Sequence, residues 1–211
     1  HAYCVDAVSG EEIWKTPSGA VCGSVTVADH IVYFSTYTGG KFYALDAFNG
    51  SVIWTNTVGW TDSTPAYIPG SKSTRSYIYF TKGYSGPGTT YCLDAKTGEI
   101  VWQHGGVGYW TNSPVVTGDG KVYAGKYSGG FIPGYCGLYC LDAFTGDELW
   151  HSDYGGSSPV IVNGFVYTID ACGRVFAFGE DKLPDLSVLY ATAPPDLVVG
   201  KSSTIKAMIQ N

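Results

Sequence analysis

A phrase of twelve residues recurs four times along this chain of 211 residues, and it constrains the fold more than any other feature. The first copy reads Tyr-Cys-Val-Asp-Ala-Val-Ser-Gly-Glu-Glu-Ile-Trp over residues 3–14. The other copies span 43–54, 91–102 and 139–150, so successive copies are 40, 48 and 48 residues apart. Self-similarity at a period of roughly 20 to 50 residues indicates a repeat architecture, in which neighbouring units bury one another's apolar faces.

A second set of short apolar runs alternates with this phrase. In the third unit the runs of both sets cover 113–116, 121–125, 137–142 and 148–150. Four short alternating runs joined by Gly-rich connections predict a four-stranded antiparallel sheet. Such a sheet, repeated about every 40 to 50 residues, is typical of a β-propeller blade. We therefore predict an all-β fold over residues 1–180, built of blades with strands A to D.

The repeated phrase carries its own turn chemistry. Its Asp side chain can accept backbone N–H groups, and the Gly four residues later supplies the positive φ of a tight hairpin. The Trp that follows can bury its ring between neighbouring sheets while its indole N–H finds an acceptor. We predict that these residues are structural and that all four tryptophans are buried at equivalent positions. The motif residues are Asp6, Gly10, Trp14, Asp46, Gly50, Trp54, Asp94, Gly98, Trp102, Asp142, Gly146 and Trp150.

The order Leu-Asp-Ala-x-Thr-Gly-x-x-x-Trp, as in residues 93–102, resembles the tryptophan-docking motif of pyrroloquinoline-quinone-like β-propellers. The resemblance covers residues 1–180, and it implies that these blades, about four in number, are part of a larger propeller. The first copy of the phrase begins at Tyr3, inside a repeat. We therefore expect either further blades before His1 or closure of the propeller by copies of the chain.

Residues 185–211 differ in character from the repeats. After a polar linker at 181–184, two alternating runs are punctuated by Pro-Pro and Gly-Lys. This order resembles the opening of an immunoglobulin-like, cell-adhesion-related domain, of which only an incomplete β-sandwich segment is present. Two strands alone bury too little apolar surface to be stable. We therefore expect this segment to be ordered only when it docks on another sheet, from the rest of its own domain or from a neighbouring subunit. The alternative is a disordered tail.

The family includes quinoprotein dehydrogenases, and the resemblance implies what such an enzyme needs. In those enzymes the quinone lies between a Trp and a disulfide of adjacent cysteines, near a calcium ion and a catalytic Asp. This sequence has no adjacent pair of cysteines, and most of its aspartates belong to turns between strands C and D. We therefore predict a non-catalytic scaffold or interaction module with no catalytic residue, no metal and no cofactor. The alternative is a fragment of a dehydrogenase that uses pyrroloquinoline quinone with calcium.

Charge and composition limit which kinds of partner and which cellular compartment we expect. The net charge is −6, whereas nucleic-acid binding needs a basic surface, so we expect other proteins or copies of the chain as partners. No apolar run reaches the roughly 18 to 20 residues of a membrane helix. The six cysteines are even in number, which favours an oxidising compartment. We predict an extracellular or cell-surface protein, with the periplasm as the alternative.

The connections between strands D and A carry the candidate binding residues. They contain Trp60-Thr-Asp-Ser and Trp110-Thr-Asn-Ser, with a Tyr in the third place. The D–A and B–C connections of a propeller share one rim, where aromatic and hydrogen-bonding groups can form a ligand or partner site. The alternative is that the rings pack between blades and the polar groups cap strand ends. The candidates are Trp60, Asp62, Trp110, Asn112 and Tyr154.

Two covalent features are predicted from the alignment of the repeats. Cys136 aligns with Gly40 and Cys172 with Gly39, which places both cysteines in B–C connections of consecutive blades as a candidate disulfide. Such a bond needs Cα atoms within about 7 Å, and buried free cysteines are the alternative. Asn49 opens the sequon Asn-Gly-Ser in an exposed C–D turn. It is a candidate for glycosylation, although Asn-Gly is also simply good turn chemistry.

Overall fold

The computed structural model describes the chain apart from residues 22, 71–73, 84–87, 110, 127–135, 171, 180–186, 193–205 and 211. Residues 187–192 and 206–210 are described by their backbone alone. The described part forms five antiparallel sheets and contains no helix, so it offers no helix that could cross a membrane.

The five sheets follow one another along the chain, and we number them as blades 1 to 5. Blade 1 contains β1 (Ala2–Val5) and β2 (Glu12–Thr16). Blade 2 contains β3 (Thr26–Ala28), β4 (Ile31–Ser35), β5 (Lys41–Asp46) and β6 (Val52–Thr57). Blade 3 contains β7 (Ala66–Ile68), β8 (Tyr77–Lys82), β9 (Thr89–Asp94) and β10 (Ile100–Gly105). Blade 4 contains β11 (Val115–Val116), β12 (Lys121–Lys126), β13 (Gly137–Asp142) and β14 (Glu148–Ser152). Blade 5 contains β15 (Val160–Val162), β16 (Phe165–Ile169), β17 (Val175–Phe178), β18 (Ser187–Thr192) and β19 (Lys206–Gln210).

Blades 2, 3 and 4 are four-stranded meanders in the order A, B, C and D. The A strand of blade 3, β7, contacts the A strands of blades 2 and 4, β3 and β11. The A strands therefore stand side by side, and the sheets extend outward from them. This is the arrangement of propeller blades, and it confirms the predicted all-β fold. The described part of blade 1 is a C–D pair, β1 and β2.

Blade 5 incorporates the segment that follows the repeats. Strand β18 occupies the place of strand D beside β17, through the pair Val175 and Ala191, and β19 lies outside β18. The segment thus pairs with the last blade of its own chain, whereas we expected from the sequence a sheet from the rest of its own domain or from a neighbouring subunit. The predicted linker at 181–184 lies outside the described residues, and the immunoglobulin-like assignment of 185–211 stays a prediction.

A β-bulge before each docking Trp decides which residues face the neighbouring blade. In blade 3, Trp102 pairs with Cys92 and Ile100 with Leu93, so Val101 is an extra residue on strand D. Blades 1, 2 and 4 carry the same irregularity at the same place. An extra residue bends the strand and re-aims its side chains. Both residues before the Trp are therefore exposed, while the indole turns into the gap between blades.

Each buried docking Trp bonds to the C–D turn of the next blade. The indole N–H of Trp54 in blade 2 donates to the carbonyl of Ala95 in blade 3 at 3.0 Å. The other two pairs are Trp14 with Ala47 and Trp102 with Ala143, both at 2.9 Å. The apolar clusters follow the same geometry, because each unites residues from two successive blades. The core therefore lies between the sheets, in the gaps that the tryptophans fill.

The glycine of the C–D turn lies directly under the docking ring. Gly98 has a φ of +75°, and a Cβ built on it would lie 2.5 Å from Cε3 of Trp54. At Gly50 and Gly146 the corresponding distances to the ring of the preceding blade are 2.6 and 2.7 Å. Glycine is therefore required twice, once by the left-handed backbone conformation and once by the space that the indole occupies.

Trp150 departs from this pattern. Trp14, Trp54 and Trp102 are 9%, 9% and 8% exposed, whereas Trp150 is 36% exposed, so the prediction of burial is wrong for the fourth tryptophan. The repeat lapses in blade 5, where Gly179 stands in place of the turn Asp. The Trp150 ring instead meets Phe178, with the ring centroids 5.8 Å apart.

We expect Gly98→Ala to destabilise the protein more than Gly10→Ala. Both glycines have a φ of +75°, so each substitution carries about 1 to 2 kcal/mol of backbone strain. Only at Gly98 does the new Cβ meet an indole, which adds about 1 to 3 kcal/mol of overpacking. At Gly10 no atom lies within 4 Å of the Cβ position. Urea unfolding followed by circular dichroism measures both variants, and equal losses of stability would show that the ring contact is unimportant.

Candidate functional site

The B–C and D–A connections form one rim, as the sequence predicted. A Cβ built on Gly40, in the B–C connection of blade 2, would lie 2.7 Å from Cα of Gly59 in the D–A connection. In blade 3, a Cβ on Gly88 would collide with the carbonyl oxygen of Gly108 in the same way. Only glycine permits backbones to approach this closely. The glycines of these connections thus hold the two loops of each blade together.

The residue before each A-strand proline joins its blade to the next. The backbone N–H of Thr64 donates to Oγ of Ser113 at 2.9 Å, and the N–H of Ser113 donates to Oγ of Ser158 at 2.9 Å. These three residues precede prolines in blades 3, 4 and 5. The bonds form a chain of equivalent positions around the inner end of the rim.

The preceding residue in each blade binds the end of its own strand B. Oγ of Ser63 accepts the N–H of Thr81 at 3.2 Å, and Oγ of Ser157 accepts the N–H of Ile169 at 2.9 Å. Asn112 occupies this position in blade 4, where its Nδ2 donates to the carbonyl of Gly125 at 3.4 Å. The structural equivalent of Asn112 is therefore Ser63, because the segment from the aromatic residue to the proline is one residue longer in blade 3.

Asn112 serves the architecture of the rim. Its side chain is buried, and besides Gly125 it donates to the carbonyl of Gly156 in the next D–A connection at 2.5 Å. With both N–H bonds of the amide donated to backbone, Asn112 behaves as the cap that the alternative interpretation predicted. It was proposed as a binding residue, and the structure favours a structural role.

Asp62 is the candidate with an unsatisfied buried atom. Its Oδ1 is buried and has no hydrogen-bond partner among the described residues. The backbone packs tightly here, since a Cβ on Gly23 of the preceding blade would collide with the carbonyl of Asp62. Burial raises the pKa of the Asp62 carboxyl, because the charged form loses its hydration.

Two of the aromatic candidates are exposed at the rim. Trp60 is 50% exposed and its ring lies 5.4 Å from that of Tyr37, while Tyr154 is 59% exposed and stacks on Phe176 at 5.5 Å. Counted back from the proline, Trp60 and Tyr154 are equivalent, and the half-buried Tyr109 takes the same place in blade 4. Sequence reasoning missed Tyr109 by aligning Trp110 with Trp60. Trp110 lies outside the described residues.

The cysteine predictions have mixed outcomes. Cys92 and Cys140 are buried free thiols, in line with the alternative interpretation, and burial raises the pKa of the Cys140 thiol to about 11. Cys172 is an exposed thiol, so its bridge to Cys136 is not formed in this structure and stays a prediction. Cys22 lies outside the described residues. No group of three or more His, Cys, Asp or Glu side chains that could hold a metal ion occurs in the described part of the chain.

Asn49 lies where the sequon prediction placed it. The residue is exposed in the C–D turn of blade 2, and its Oδ1 accepts the N–H of Ser51 at 2.8 Å. This bond is the expected turn chemistry, and it leaves glycosylation of Asn49 as a prediction.

The comparisons with known proteins agree with the repeat. Residues 1–182 match the family model described as outer membrane protein assembly factor BamB. Because the match covers most of the chain, the chain belongs to this family of pyrroloquinoline-quinone-like repeat proteins. The match ends before residue 185 and leaves the final segment untested.

Three proteins show what this chain is similar to. Tetrathionate hydrolase of Acidithiobacillus ferrooxidans is 30% identical over 66 residues, which are 30% of this chain and 13% of the hydrolase. BamB from Moraxella catarrhalis has a TM-score of 0.61 at 20% identity, covering 81% of this chain and 50% of that chain. Quinohemoprotein alcohol dehydrogenase from Comamonas testosteroni has a TM-score of 0.65 at 18% identity, covering 84% of this chain and 38% of that chain. The two structural likenesses show the fold alone, and the chain spans half or less of each protein.

We expect Asp62→Asn to change how stability depends on pH. A carboxyl whose pKa is raised in the folded state destabilises the folded protein once the group ionises. The free energy of unfolding of the wild type therefore falls as pH rises above about 3.9, the ordinary pKa of an Asp side chain. The Asn variant lacks this loss and is therefore the more stable protein at pH 7, with the difference vanishing near pH 3. Thermal unfolding across this range measures it. Asp153→Asn, which removes an exposed rim carboxylate, is the control, and the same profile for both variants would refute the assignment.

Proposed function

We propose that this chain is a non-catalytic interaction module of an exported protein, and that it binds polypeptide at the rim through Trp60 and Tyr154. The observation that carries this proposal is the exposure of two aromatic side chains at equivalent rim positions. They stand on a framework whose buried polar side chains, such as Asn112, already bond to backbone. Exposed aromatic residues on a rigid framework are typical of the residues that dominate protein–protein binding.

Membership of the family supports both the partner and the compartment. The family is described by a factor that assembles outer-membrane proteins, which is a role toward other polypeptides at the cell envelope. We propose the same general role for this chain, in the periplasm or at the cell surface. The net charge of −6 is compatible with polypeptide partners and argues against nucleic acid.

We propose further that the chain acts without pyrroloquinoline quinone and calcium. Calcium needs several oxygen ligands, commonly carboxylates and carbonyls. Among the described residues, no group of three or more His, Cys, Asp or Glu side chains is close enough together to hold a metal ion. The sequence also lacks the adjacent cysteines that the dehydrogenases place against the quinone. These residues do not fit the cofactor.

Site-specific photocross-linking tests the proposal in the native cell envelope. A photoreactive benzoylphenylalanine is placed at Trp60, at Tyr154, or at the control position Ile53, which is equally exposed but lies on the outer strand D of blade 2. We expect adducts with other polypeptides from positions 60 and 154 and none from position 53, because only the first two lie on the rim.

Two results would contradict the proposal. One is the absence of adducts at both rim positions while position 53 reacts. The other is alcohol-dependent reduction of a dye after the chain has been loaded with pyrroloquinoline quinone and calcium, which would favour the dehydrogenase alternative.

A further inference from the structure

The ends of the blades opposite the rim form a second surface, built from the A–B and C–D turns of blades 2, 3 and 4. In blade 2, the backbone N–H of Ala47 in the C–D turn donates to the carbonyl of His30 in the A–B turn at 2.9 Å. In blade 4, Ala143 and Gly120 make the same bond at 2.9 Å, and blade 3 repeats it at 3.0 Å. The two turns of each blade are therefore fixed to one another, and together we call them the turn face.

Two C–D turns of the turn face carry an exposed phenyl ring. Phe48 of blade 2 is 69% exposed and Phe144 of blade 4 is 51% exposed. Each lies two residues after the Asp of the repeat, where blade 3 has the exposed Lys96. Because a lysine is compatible with the same turn, the docking of one blade on the next does not require a phenyl ring at this position. The two rings are therefore available for contacts with a partner.

Both rings are carried by turns that are held in place by hydrogen bonds. The backbone N–H of Phe48 donates to Oδ1 of Asp46, and that of Phe144 donates to Oδ1 of Asp142, each at 2.8 Å. The Phe48 ring also packs against the ring of His30, with the ring centroids 5.1 Å apart. A group that is positioned before binding loses less conformational entropy when a partner arrives. The turns therefore present two preorganised contact points.

Carboxylates make the surroundings of both rings negative. The turns of blade 2 contain Asp29 and Asp46 but neither Lys nor Arg. The C–D turn of blade 4 contains Asp142 and Asp147. The pKa of Asp142 is lowered, chiefly because the backbone N–H of Thr145 donates to its carboxylate. Each phenyl ring thus has a carboxylate of its own turn beside it, and this charge attracts cations.

The lysines of strands B and C lie mostly at the other end of the blades. Lys41, Lys82 and Lys126 flank the B–C connections, which belong to the rim. Lys121 belongs to the turn face of blade 4, but its Nζ lies 2.8 Å from Oδ2 of Asp119, which neutralises its charge. A cationic partner is therefore attracted to the turn face of blades 2 and 4 rather than to the rim.

We propose that the turn face binds a basic polypeptide, with one Arg or Lys side chain over the ring of Phe48 and another over the ring of Phe144. A cation within about 6 Å of an aromatic ring centroid is attracted by the face of the ring. The adjacent carboxylates of Asp46 and Asp142 strengthen the attraction through charge complementarity. A membrane surface fits less well, because its anionic lipids repel carboxylates. The turn face is distinct from the rim, so the inference is independent of the proposed function.

A synthetic deca-arginine peptide serves as the probe. Its binding to the full, unglycosylated 211-residue chain is measured by titration calorimetry at about 0.15 M salt, which screens long-range attraction between exposed charges. A deca-citrulline peptide, which has the same length without the charges, is measured beside it. We expect saturable binding of the arginine peptide alone. No saturable binding of the arginine peptide, or equal binding of both peptides, would overturn the proposal.

Two double variants of the chain locate the binding. Replacing both rings by leucine, Phe48→Leu with Phe144→Leu, keeps an apolar side chain and the net charge but removes the two cation–π contacts. We expect about five- to thirty-fold weaker binding of the arginine peptide. Replacing both by lysine is expected to abolish binding, and the turns tolerate this change because blade 3 has Lys96 at the same position. Unchanged affinity of the leucine variant contradicts the proposed contacts.

A matched control separates the turn face from the overall charge of the chain. Thr55 and Gln103 are exposed residues of the outer strands D of blades 2 and 3. The variant Thr55→Lys with Gln103→Lys adds the same two positive charges away from both rings, and we expect it to retain most of the binding. An equal loss of binding in the two lysine variants would mean that net charge decides the affinity, and would overturn the proposal.

Two other occupants are distinguished by the same variants. Binding of the chain to phosphatidylcholine vesicles that the double leucine variant leaves intact and the double lysine variant abolishes would assign the turn face to a lipid surface. Self-association of the peptide-free chain that both variants abolish, measured by sedimentation, would assign it to a second copy. Either result would overturn the proposal.

Discussion

The hydrogen bond from a docking indole to an alanine carbonyl, made over a glycine, is the constraint on which the rest of this structure depends. A blade has two apolar faces and buries neither alone, so the core clusters each unite two successive blades. The Trp ring fills the gap, its N–H fixes the ring on the next turn, and the glycine permits the approach. A substitution in one blade is therefore expected to change the packing of the neighbouring blade.

Hydrogen bonds between blades also shape the rim. At the rim, hydroxyl and amide side chains such as Ser113 and Asn112 bond to the backbone of adjacent strands and connections. Two large aromatic rings, Trp60 and Tyr154, remain exposed there.

The sequence predicts the features that every unit repeats. It predicts less well the contacts that a unit makes with the neighbouring blade. Three of the four tryptophans of the phrase are buried as expected, whereas Trp150 is exposed and faces blade 5, where Gly179 replaces the Asp of the repeat. The match of Asp62 with Asn112 overlooked that the segment from the aromatic residue to the proline is one residue longer in blade 3, which counting back from the proline would have shown. The side chains two residues after each buried Trp also bond to the next turn glycine, yet they differ in type and gave no signal: Thr16, Asn56 and His104.

A double-mutant cycle between Trp102 and Gly146 tests the central claim most directly, because the two residues belong to different blades and a Cβ at Gly146 would lie 2.7 Å from the indole. Urea unfolding of Trp102→Phe, Gly146→Ala and the double variant gives the coupling energy. The account predicts that Gly146→Ala destabilises less once the smaller ring is present, with a coupling of about 1 kcal/mol. Losses that add within about 0.5 kcal/mol would mean that the two residues act independently, and would contradict docking as the link between blades.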